Sequence, residues 1–300
     1  MRVYIGTSGW QYHDWKNKFY PENLPSKDFL KFYSKHFKTV EINTSFYHLT
    51  KKSTFEKWYQ ESNKSFLFSV KLYRLFTHLR KLKLKKEDEK ILKTFCENVS
   101  ALKEKLGPIL IQLPPSFKNK EALEKFIKTF KKIFKRELMR ILNHEGFRTM
   151  NRTPFWFMAS RELVRTNISF SSQKSASSLR KSESSLRRSA WNPLIAVEIR
   201  NKNLLNQDVY NFFKKEKIIF VISDSPRWPT EIIKTTDTVY VRFHGKPILF
   251  ASKYSTQELK GYAEKIKTLK PKILFAYFNN DAEGYAVDNA LEFKKFFNLL

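Results

Sequence analysis

The chain has 300 residues, of which 41% are hydrophobic and 16% are aromatic, and its formal net charge is +28. This length allows one large domain such as an α/β barrel or two smaller domains, and the apolar content is enough for a folded core. The charge indicates either a nucleic-acid partner or many solvated lysines. The even spread of Lys along the chain favours the solvated lysines.

Cys96 is the single cysteine, so neither an intramolecular disulfide nor a cysteine-based zinc site can form within the chain. The N-terminus enters an apolar, strand-like segment without a signal peptide, and no run reaches 18 apolar residues. We therefore expect a soluble, cytoplasmic protein that does not span a membrane.

Eight short apolar segments predict β-strands, and segments with apolar residues at helical spacing lie between them. The strands are predicted at Arg2–Ser8, Thr39–Thr44, Phe66–Lys71, Ile109–Leu113, Leu194–Arg200, Ile218–Ser223, Thr238–Gly245 and Ile273–Phe278. The helices are predicted at Ser26–Phe37, Ser53–Glu61, Glu87–Leu106, Asn119–Phe134, Asn206–Lys215, Thr256–Leu269 and Gly284–Leu300. This alternation predicts an α/β fold, a (β/α)8 TIM barrel with parallel strands. The sequence has no G-x-G-x-x-G or Walker loop, which disfavours a nucleotide-binding sheet.

The loop after the first strand, Trp10–Pro25, carries five aromatic rings. They could form a lid over the core or a stacking surface for a ring-shaped ligand, because loops that carry so many rings often have a role. In the second interpretation, Trp10, Tyr12 and Trp15 bind the substrate.

Residues 135–192 do not match the barrel, since a connection of perhaps ten residues would suffice between the fourth helix and the fifth strand. Nine of the 15 Arg lie between Arg136 and Arg188, and nine of the twenty residues of Ser171–Ala190 are Ser. This composition predicts a disordered, basic, low-complexity insertion into a single domain. Two short helices could form in it, at Arg136–Asn143 and Phe155–Val164. The segment either binds nucleic acid or anionic lipid or is a tolerated insertion without a function, and we favour the second interpretation.

Polar residues stand at the carboxyl end of seven of the eight predicted strands, where TIM barrels place their active sites. In Thr238–Gly245, apolar Val239, Val241 and Phe243 alternate with Tyr240, Arg242 and His244, so the polar set is predicted to face the interior. Arg242 is expected to bond to Glu198 or Asp224. The candidate catalytic residues are Glu41, Lys71, His78, Glu198, Asp224 and His244, and further candidates for substrate binding are Asn43, Tyr47, Gln112, Arg200, Arg242, Asn279 and Asn280.

The predicted rim combines carboxylates, cations and imidazoles, which suits acid/base chemistry. His244 and Glu198 are the first candidates for proton transfer, Lys71 could act as an electrophile or a nucleophilic amine, and Arg200 and Arg242 could hold a phosphate or carboxylate. Glu41, Glu198, Asp224 and His244 also offer ligands for a divalent metal. No close metal-binding motif supports this alternative, so no cofactor is predicted.

Seven motifs, in order, resemble the DUF72 (YecE-like) family. They are GTSGWQYHDW with FYP, VEINTSFY, FSVKLYRLFTH, LGPILIQLPPSF, VEIR, YVRFHG, and YFNN with GYAVDNA. The resemblance covers residues 1–134 and 193–300 and implies a TIM barrel whose activity is not established. Thr50 replaces a usual proline and Asn17 a frequent glycine. The matching positions are Trp10, Tyr12, Trp15, Glu41, Asn43, Phe46, Tyr47, Lys71, Thr77, His78, Gln112, Glu198, Arg200, Asp224, Arg242, His244, Gly245, Asn279, Asn280 and Asn289.

Three functions are consistent with these observations. The first is an enzyme that performs acid/base or hydrolytic chemistry on a polar, anionic or sugar-like small molecule at the rim. The second is a protein that binds or processes nucleic acid, and the third is a barrel scaffold that the insertion has inactivated. A basic stripe continuous with the rim would favour nucleic acid, whereas scattered lysines would not.

Overall fold

The computed structural model describes residues 1–144 and 193–299. Its eight strands are β1 (Arg2–Thr7), β2 (Thr39–Ile42), β3 (Leu67–Lys71), β4 (Leu106–Gln112), β5 (Ile195–Glu198), β6 (Ile219–Asp224), β7 (Thr238–Phe243) and β8 (Ile273–Phe278). All ladders are parallel, in the order β1-β8-β7-β6-β5-β4-β3-β2. A bridge between Ser8 and Glu41 brings β1 beside β2 and nearly closes the barrel. The predicted TIM barrel is confirmed.

The helices of the described residues surround this barrel. They are α1 (Phe29–His36), α2 (Thr44–Tyr47), α3 (Lys52–Glu61), α4 (Lys86–Val99), α5 (Lys120–His144), α6 (Gln207–Glu216), α7 (Thr256–Thr268) and α8 (Tyr285–Lys295). The connection between β6 and β7, residues 225–237, contains no helix. Within the described ranges, no helix combines the length and the apolar character needed to cross a bilayer.

Two predicted helix ends differ from the structure. The helix predicted to reach Leu106 ends at Val99 and continues as a 3-10 helix, Ser100–Lys105, in which Lys103 has a φ of 49°. Gly107 and Pro108 therefore do not stop a helix but belong to β4. In the other case, the helix predicted to end at Phe134 extends to His144, and its Leu138 is buried against the core.

The predicted insertion therefore overlaps the barrel at its first residues. The suggested helix Arg136–Asn143 exists as the end of α5, so residues 135–144 are part of the helical layer. The proposed helix Phe155–Val164 and the Ser-rich stretch Ser171–Ala190 lie outside the described residues. The expected disorder of these two stretches stays a prediction.

The alternation of side chains divides the strands between two hydrophobic clusters. Tyr240, Phe275 and Tyr277 point inward into a cluster that fills the barrel. Val239, Val241 and Phe243 pack outward against the helices. This confirms the predicted parity of β7, and it follows from the burial of parallel strands on both faces. Arg242 and His244 therefore point into the barrel.

The seam between β1 and β2 is bridged by a side chain of α1. The hydroxyl of Tyr33 accepts a hydrogen bond from the Thr7 backbone N–H at 2.9 Å and donates to the Thr39 carbonyl oxygen at 3.2 Å. Gly6 permits this close approach, because a Cβ at this position would lie 2.1 Å from the same carbonyl oxygen. A tyrosine hydroxyl thus replaces strand pairing where the barrel closes.

We expect Tyr33→Phe to lower the free energy of unfolding by about 1–3 kcal/mol, because it leaves two buried backbone groups without a partner. Chemical denaturation of the purified variant measures this change. Tyr47→Phe is the matched control, since Tyr47 is 59% exposed and its hydroxyl can bond to water. A loss for Tyr33→Phe no larger than that of the control would contradict the bridging role.

Candidate active site at the carboxyl end of the barrel

Arg242 lies at the centre of a buried network inside the barrel. Its guanidinium donates from Nε and Nη2 to the two oxygens of Glu41, at 3.0 and 2.7 Å, and from Nη1 to Glu198. Burial opposes its charge, but Glu198 and Glu41 outweigh burial and raise the pKa of Arg242. The expected bond to Glu198 is present. Glu41 is the second partner, in place of Asp224.

Glu41, on β2, accepts two further hydrogen bonds besides those from Arg242. The Ser8 hydroxyl donates at 2.8 Å and the Tyr240 hydroxyl donates at 2.6 Å. Burial raises the pKa of the Glu41 carboxyl, but Arg242 and Tyr240 more than offset it, so the net pKa is lowered. Glu41 is therefore ionised at neutral pH, and its two oxygens are occupied.

Glu198, at the end of β5, also accepts hydrogen bonds at both of its carboxylate oxygens. Its Oε1 accepts from Arg200 Nε at 2.8 Å and from the Ser223 hydroxyl at 3.1 Å. Burial raises the pKa of this carboxyl, but Arg200 and Arg242 hold the pKa well below its usual range. The two buried carboxylates, Glu41 and Glu198, thus balance the two guanidinium groups of Arg200 and Arg242.

His244 follows β7 and is fully buried. Its Nε2 lies 3.3 Å from Glu198 Oε1, and its Nδ1 lies 3.1 Å from the Asn279 side-chain amide. Burial, supported by the charge of Arg242, lowers the pKa of His244 to about 4. A neutral imidazole that donates from Nε2 to Glu198 and accepts at Nδ1 from Asn279 accounts for both contacts. Both ring nitrogens are then occupied.

Lys71, at the end of β3, lies beside this network without joining it. Its Nζ is 4.1 Å from the centre of the Phe46 ring, and it forms no ion pair or hydrogen bond with any residue in the described ranges. Burial lowers the pKa of Lys71 to about 7, with a further contribution from Arg242. At neutral pH, a large fraction of this side chain is therefore an uncharged amine.

His78 lies near Lys71 and packs against the same phenylalanine. Its ring packs against Phe46 at 4.9 Å, and its Nδ1 is 2.8 Å from the Thr77 hydroxyl. Burial and the positive charge of Lys71 lower the pKa of His78 to about 4. The structure thus groups two nitrogen bases around one aromatic ring.

Arg200 connects the network to the outer part of the rim. Only its Nε is used in a hydrogen bond to a described residue, Glu198, so both of its Nη groups can bind another acceptor. Its guanidinium stacks on Trp228 at 3.9 Å from the ring centre, which fixes its orientation. Gln112 completes this side, 3.4 Å from Arg242 Nη1.

Asp224 does not join the cluster, contrary to the sequence-based expectation. It follows Ser223 on β6, and since Ser223 points inward to Glu198, Asp224 points outward. It accepts hydrogen bonds from the hydroxyls of Tyr254, at 2.6 Å, and Tyr262, and it pairs with Lys246. Asp224 anchors the segment between β7 and α7.

The aromatic first loop supports the lid interpretation. Trp10 packs against Trp58 at 5.1 Å, and Trp15 is fully buried against Tyr20 and Phe19. The structure thus places Trp10 and Trp15 in the core, and their predicted role in substrate binding is not supported by their position.

Tyr12 is less buried than the two tryptophans. Its hydroxyl donates to the Ser8 carbonyl oxygen at 2.6 Å. Burial raises the pKa of Tyr12, and the neighbouring Asp281 adds to this effect. Burial likewise raises the pKa of Asp281 itself. Tyr12 therefore keeps its proton, and Asp281 lies near it in the loop that follows β8.

The remaining candidates differ in position. Asn43 donates to the Ser8 carbonyl oxygen at 3.3 Å, and its buried Oδ1 has no partner in the described part of the chain. Tyr47 is exposed. Asn280 donates to Ser252 O and Asn289 Oδ1, both at 2.9 Å, and so stabilises a loop.

The residues suggested as metal ligands do not converge. Asp224 lies outside the barrel, and both glutamates bind Arg242. Among the residues that the structure describes, no three His, Cys, Asp or Glu side chains are grouped so that they could hold a metal ion.

Several residues of the site carried no separate signal in the sequence. Ser8, Ser223 and Trp228 are small or apolar positions whose role depends on the partner across the barrel. Asp281 follows the two asparagines after β8 and could have been noticed as another polar residue at a strand end. Tyr240 was predicted to face inward, but its bond to Glu41 could not be read from the sequence.

Most of the chain is similar to known proteins. A family model described as "Protein of unknown function DUF72" matches residues 4–299. The UPF0759 protein YunF of Bacillus subtilis is 26% identical and covers 96% of this chain and 92% of that protein. A DUF72 family structure from Thermotoga maritima has a TM-score of 0.72 at 26% identity and covers 99% of this chain and 100% of that chain. A DUF72 family structure from Enterococcus faecalis has a TM-score of 0.70 at 19% identity, with 99% and 96% covered, and shows a common fold.

Proposed function

The chain belongs to the DUF72 family, and we propose that it is an enzyme that performs acid/base chemistry on a polar, anionic or sugar-like small molecule at the carboxyl end of the barrel. The observation that carries this proposal is Lys71, which is only 8% exposed and whose Nζ has no hydrogen-bond or ion-pair partner among the described residues. Removing most of the water around an unpaired lysine costs stability, so its presence indicates a role in binding or catalysis.

The charge balance of the site supports an anionic substrate. Glu41 and Glu198 are matched by Arg200 and Arg242, so protonation of Lys71 leaves the interior with one uncompensated positive charge. An anion that enters the site would compensate this charge. Arg200 is the residue that we propose to bind the anion, because its Nη groups form a planar fork that suits a carboxylate or phosphate.

The roles that we propose differ in part from those suggested by the sequence. Glu198 and His244 are held by their hydrogen bonds, so we assign them to orienting Arg200 and Arg242. Lys71 is the group whose pKa, about 7, allows it to accept or release a proton at neutral pH. His78, beside it, can take part in the transfer. In this proposal the side chains of the site carry out the acid/base chemistry. We also propose that the protein is cytoplasmic.

A ligand screen tests this function. The protein is heated with sugar phosphates, short carboxylic acids, their uncharged analogues or oligonucleotides, each with EDTA and with Mg²⁺, Mn²⁺ or Zn²⁺. We expect anionic small molecules to raise the melting temperature and Arg200→Gln to abolish the shift. Arg140→Gln is the control, because Arg140 is an exposed arginine of α5.

Three other outcomes of the ligand screen would contradict the proposal. A shift with oligonucleotides that survives Arg200→Gln would support a nucleic-acid-binding protein. A shift that requires a metal ion would contradict chemistry carried by side chains alone. No shift with any compound would support the inactive scaffold.

A further inference from the structure

The described part of the barrel contains two buried lysines, Lys71 and Lys105, that differ in their hydrogen bonds. Lys105 is 5% exposed, and its Nζ donates to Tyr59 O, Ser62 O and Ser62 Oγ at 2.6 to 2.9 Å. Lys71 is 8% exposed, and its Nζ has none of these contacts with a described residue. Because an ammonium group has three donors to satisfy, Lys105 is suited to the charged form and Lys71 to the neutral amine.

The surroundings of Lys71 favour a neutral amine that remains reactive. The glutamate oxygens nearby are taken by Arg242 and Arg200, so no carboxylate within ion-pair distance holds a proton on Nζ. Phe46 limits the movement of the side chain on one side. A desolvated lysine next to other cations is the usual setting of a lysine that attacks a carbonyl group.

We propose that Lys71 Nζ forms a Schiff base with an aldehyde or ketone substrate that also carries a phosphate or carboxylate, which Arg200 binds. This inference rests on the proposed function and names its substrate class and its covalent step. Arg200 is fixed against Trp228 and bonded to Glu198 through Nε alone, which leaves its outer fork available for the anion.

The covalent step balances without another reactant. The Nζ lone pair forms a bond to the carbonyl carbon, both Nζ hydrogens pass to the carbonyl oxygen, and that oxygen leaves as water. The resulting imine becomes an iminium when it takes up one proton. The iminium then accepts the electron pair of a neighbouring C–H or C–C bond as that bond breaks, so no oxidant or reductant is needed.

His78 is placed to move the protons of this step. It shares Phe46 with Lys71, and burial lowers the pKa of His78 to about 4, so its ring is neutral near pH 7. A neutral imidazole can accept a proton from the attacking amine and return it to the leaving oxygen.

Reductive trapping tests the inference. The full-length protein is incubated at neutral pH with pyridoxal 5′-phosphate, used here only as a phosphate-bearing aldehyde, and then with borohydride. Trypsin does not cleave at a modified lysine, so label on Lys71 appears in the peptide Ser65–Arg74, which contains no other lysine. Lys105 serves as the internal control, and its label would appear in Glu104–Lys118.

We expect Lys71 to be labelled at least tenfold faster than Lys105 and faster than exposed lysines, and Lys71→Met to remove this label. Pyridoxal, which lacks the phosphate, should label Lys71 more slowly, and Arg200→Gln should abolish the difference between the two aldehydes. The labelling rate of Lys71 should rise with pH and level off above about 7, whereas surface lysines continue to gain reactivity up to about pH 10.

Label spread over surface lysines without preference for Lys71, in a protein with an unchanged melting temperature, would overturn the inference. Turnover of a substrate found in the screen that persists in Lys71→Met would also overturn it, while the proposed enzyme would stand. Selective labelling with equal rates for the two aldehydes would reject the anion-binding part.

Discussion

Arg242→Met is expected to lower the free energy of unfolding by about 3–5 kcal/mol at neutral pH, because it removes the guanidinium that binds buried Glu41 and one of the two that bind buried Glu198. Both carboxylates are fully buried, and the guanidinium binds them through three nitrogens. Urea denaturation of the two proteins measures the difference.

Arg140→Met is the matched control for this experiment. Arg140 also pairs with two glutamates, Glu97 and Glu137, but its side chain is 54% exposed. Exposed pairs contribute about 0–1 kcal/mol. Similar losses in the free energy of unfolding for the two variants would show that the buried network stabilises the protein no more than exposed ion pairs do.

The effect of Arg242→Met should decrease as the pH falls. In the native protein, the pKa values of Glu41 and Glu198 are lowered, so their contribution is present above the unfolded pKa of about 4.3 and is lost below it. In the variant, Glu41 loses the guanidinium that lowers its pKa and Glu198 keeps only Arg200, so both pKa values should rise and protonation should cost less. The two stabilities should therefore approach each other between about pH 7 and about pH 4.

Arg242→Lys tests function rather than stability. It keeps the charge but loses the planar fork that binds both Glu41 oxygens. We expect ligand binding or turnover to fall at least tenfold, about 1.4 kcal/mol. Near-normal binding would show that Arg242 serves only the fold.

Lys71→Met should increase the stability of the protein, by about 1–4 kcal/mol at neutral pH, since it replaces a largely desolvated amine, whose pKa burial lowers to about 7, by an apolar side chain of similar length. Lys105→Met should have the opposite effect, a loss of about 1–3 kcal/mol, because it removes the donor for two buried acceptors of Ser62 and for the Tyr59 carbonyl oxygen. Changes of opposite sign in the free energy of unfolding for Lys71→Met and Lys105→Met would distinguish the two buried lysines most clearly.

The pH dependence follows from the direction of the pKa shift. The folded protein releases the Lys71 proton near pH 7, whereas the unfolded chain holds it up to about pH 10.4. The unfolded state therefore binds more protons in this window, and the stability of the native protein rises with pH there. The advantage of Lys71→Met should shrink by about 2 kcal/mol between about pH 7 and about pH 9. A constant advantage would contradict the lowered pKa.

The sequence by itself determined the eight strands and the side of β7 that faces the barrel. The reason is local: apolar residues on both faces of a strand identify a parallel sheet, and alternation assigns Arg242 and His244 to one face. The residues of β6 before Ser223 are all apolar, so alternation assigns no face to this strand. The structure turns Ser223 to the interior and Asp224 to the helix side, which is why the Asp224 prediction was wrong.

Only the tertiary structure decided which side chains pair and which remain free. Glu41 and Arg242 are 201 residues apart in the chain, and Lys71 lacks a partner because other residues occupy both glutamates. The continuation of α5 past Phe134 likewise depends on packing, since Leu138 is buried against the core. Contacts between distant strands fix the free energy of each ion pair and the proton affinity of each amine, and neither quantity is encoded in a local pattern.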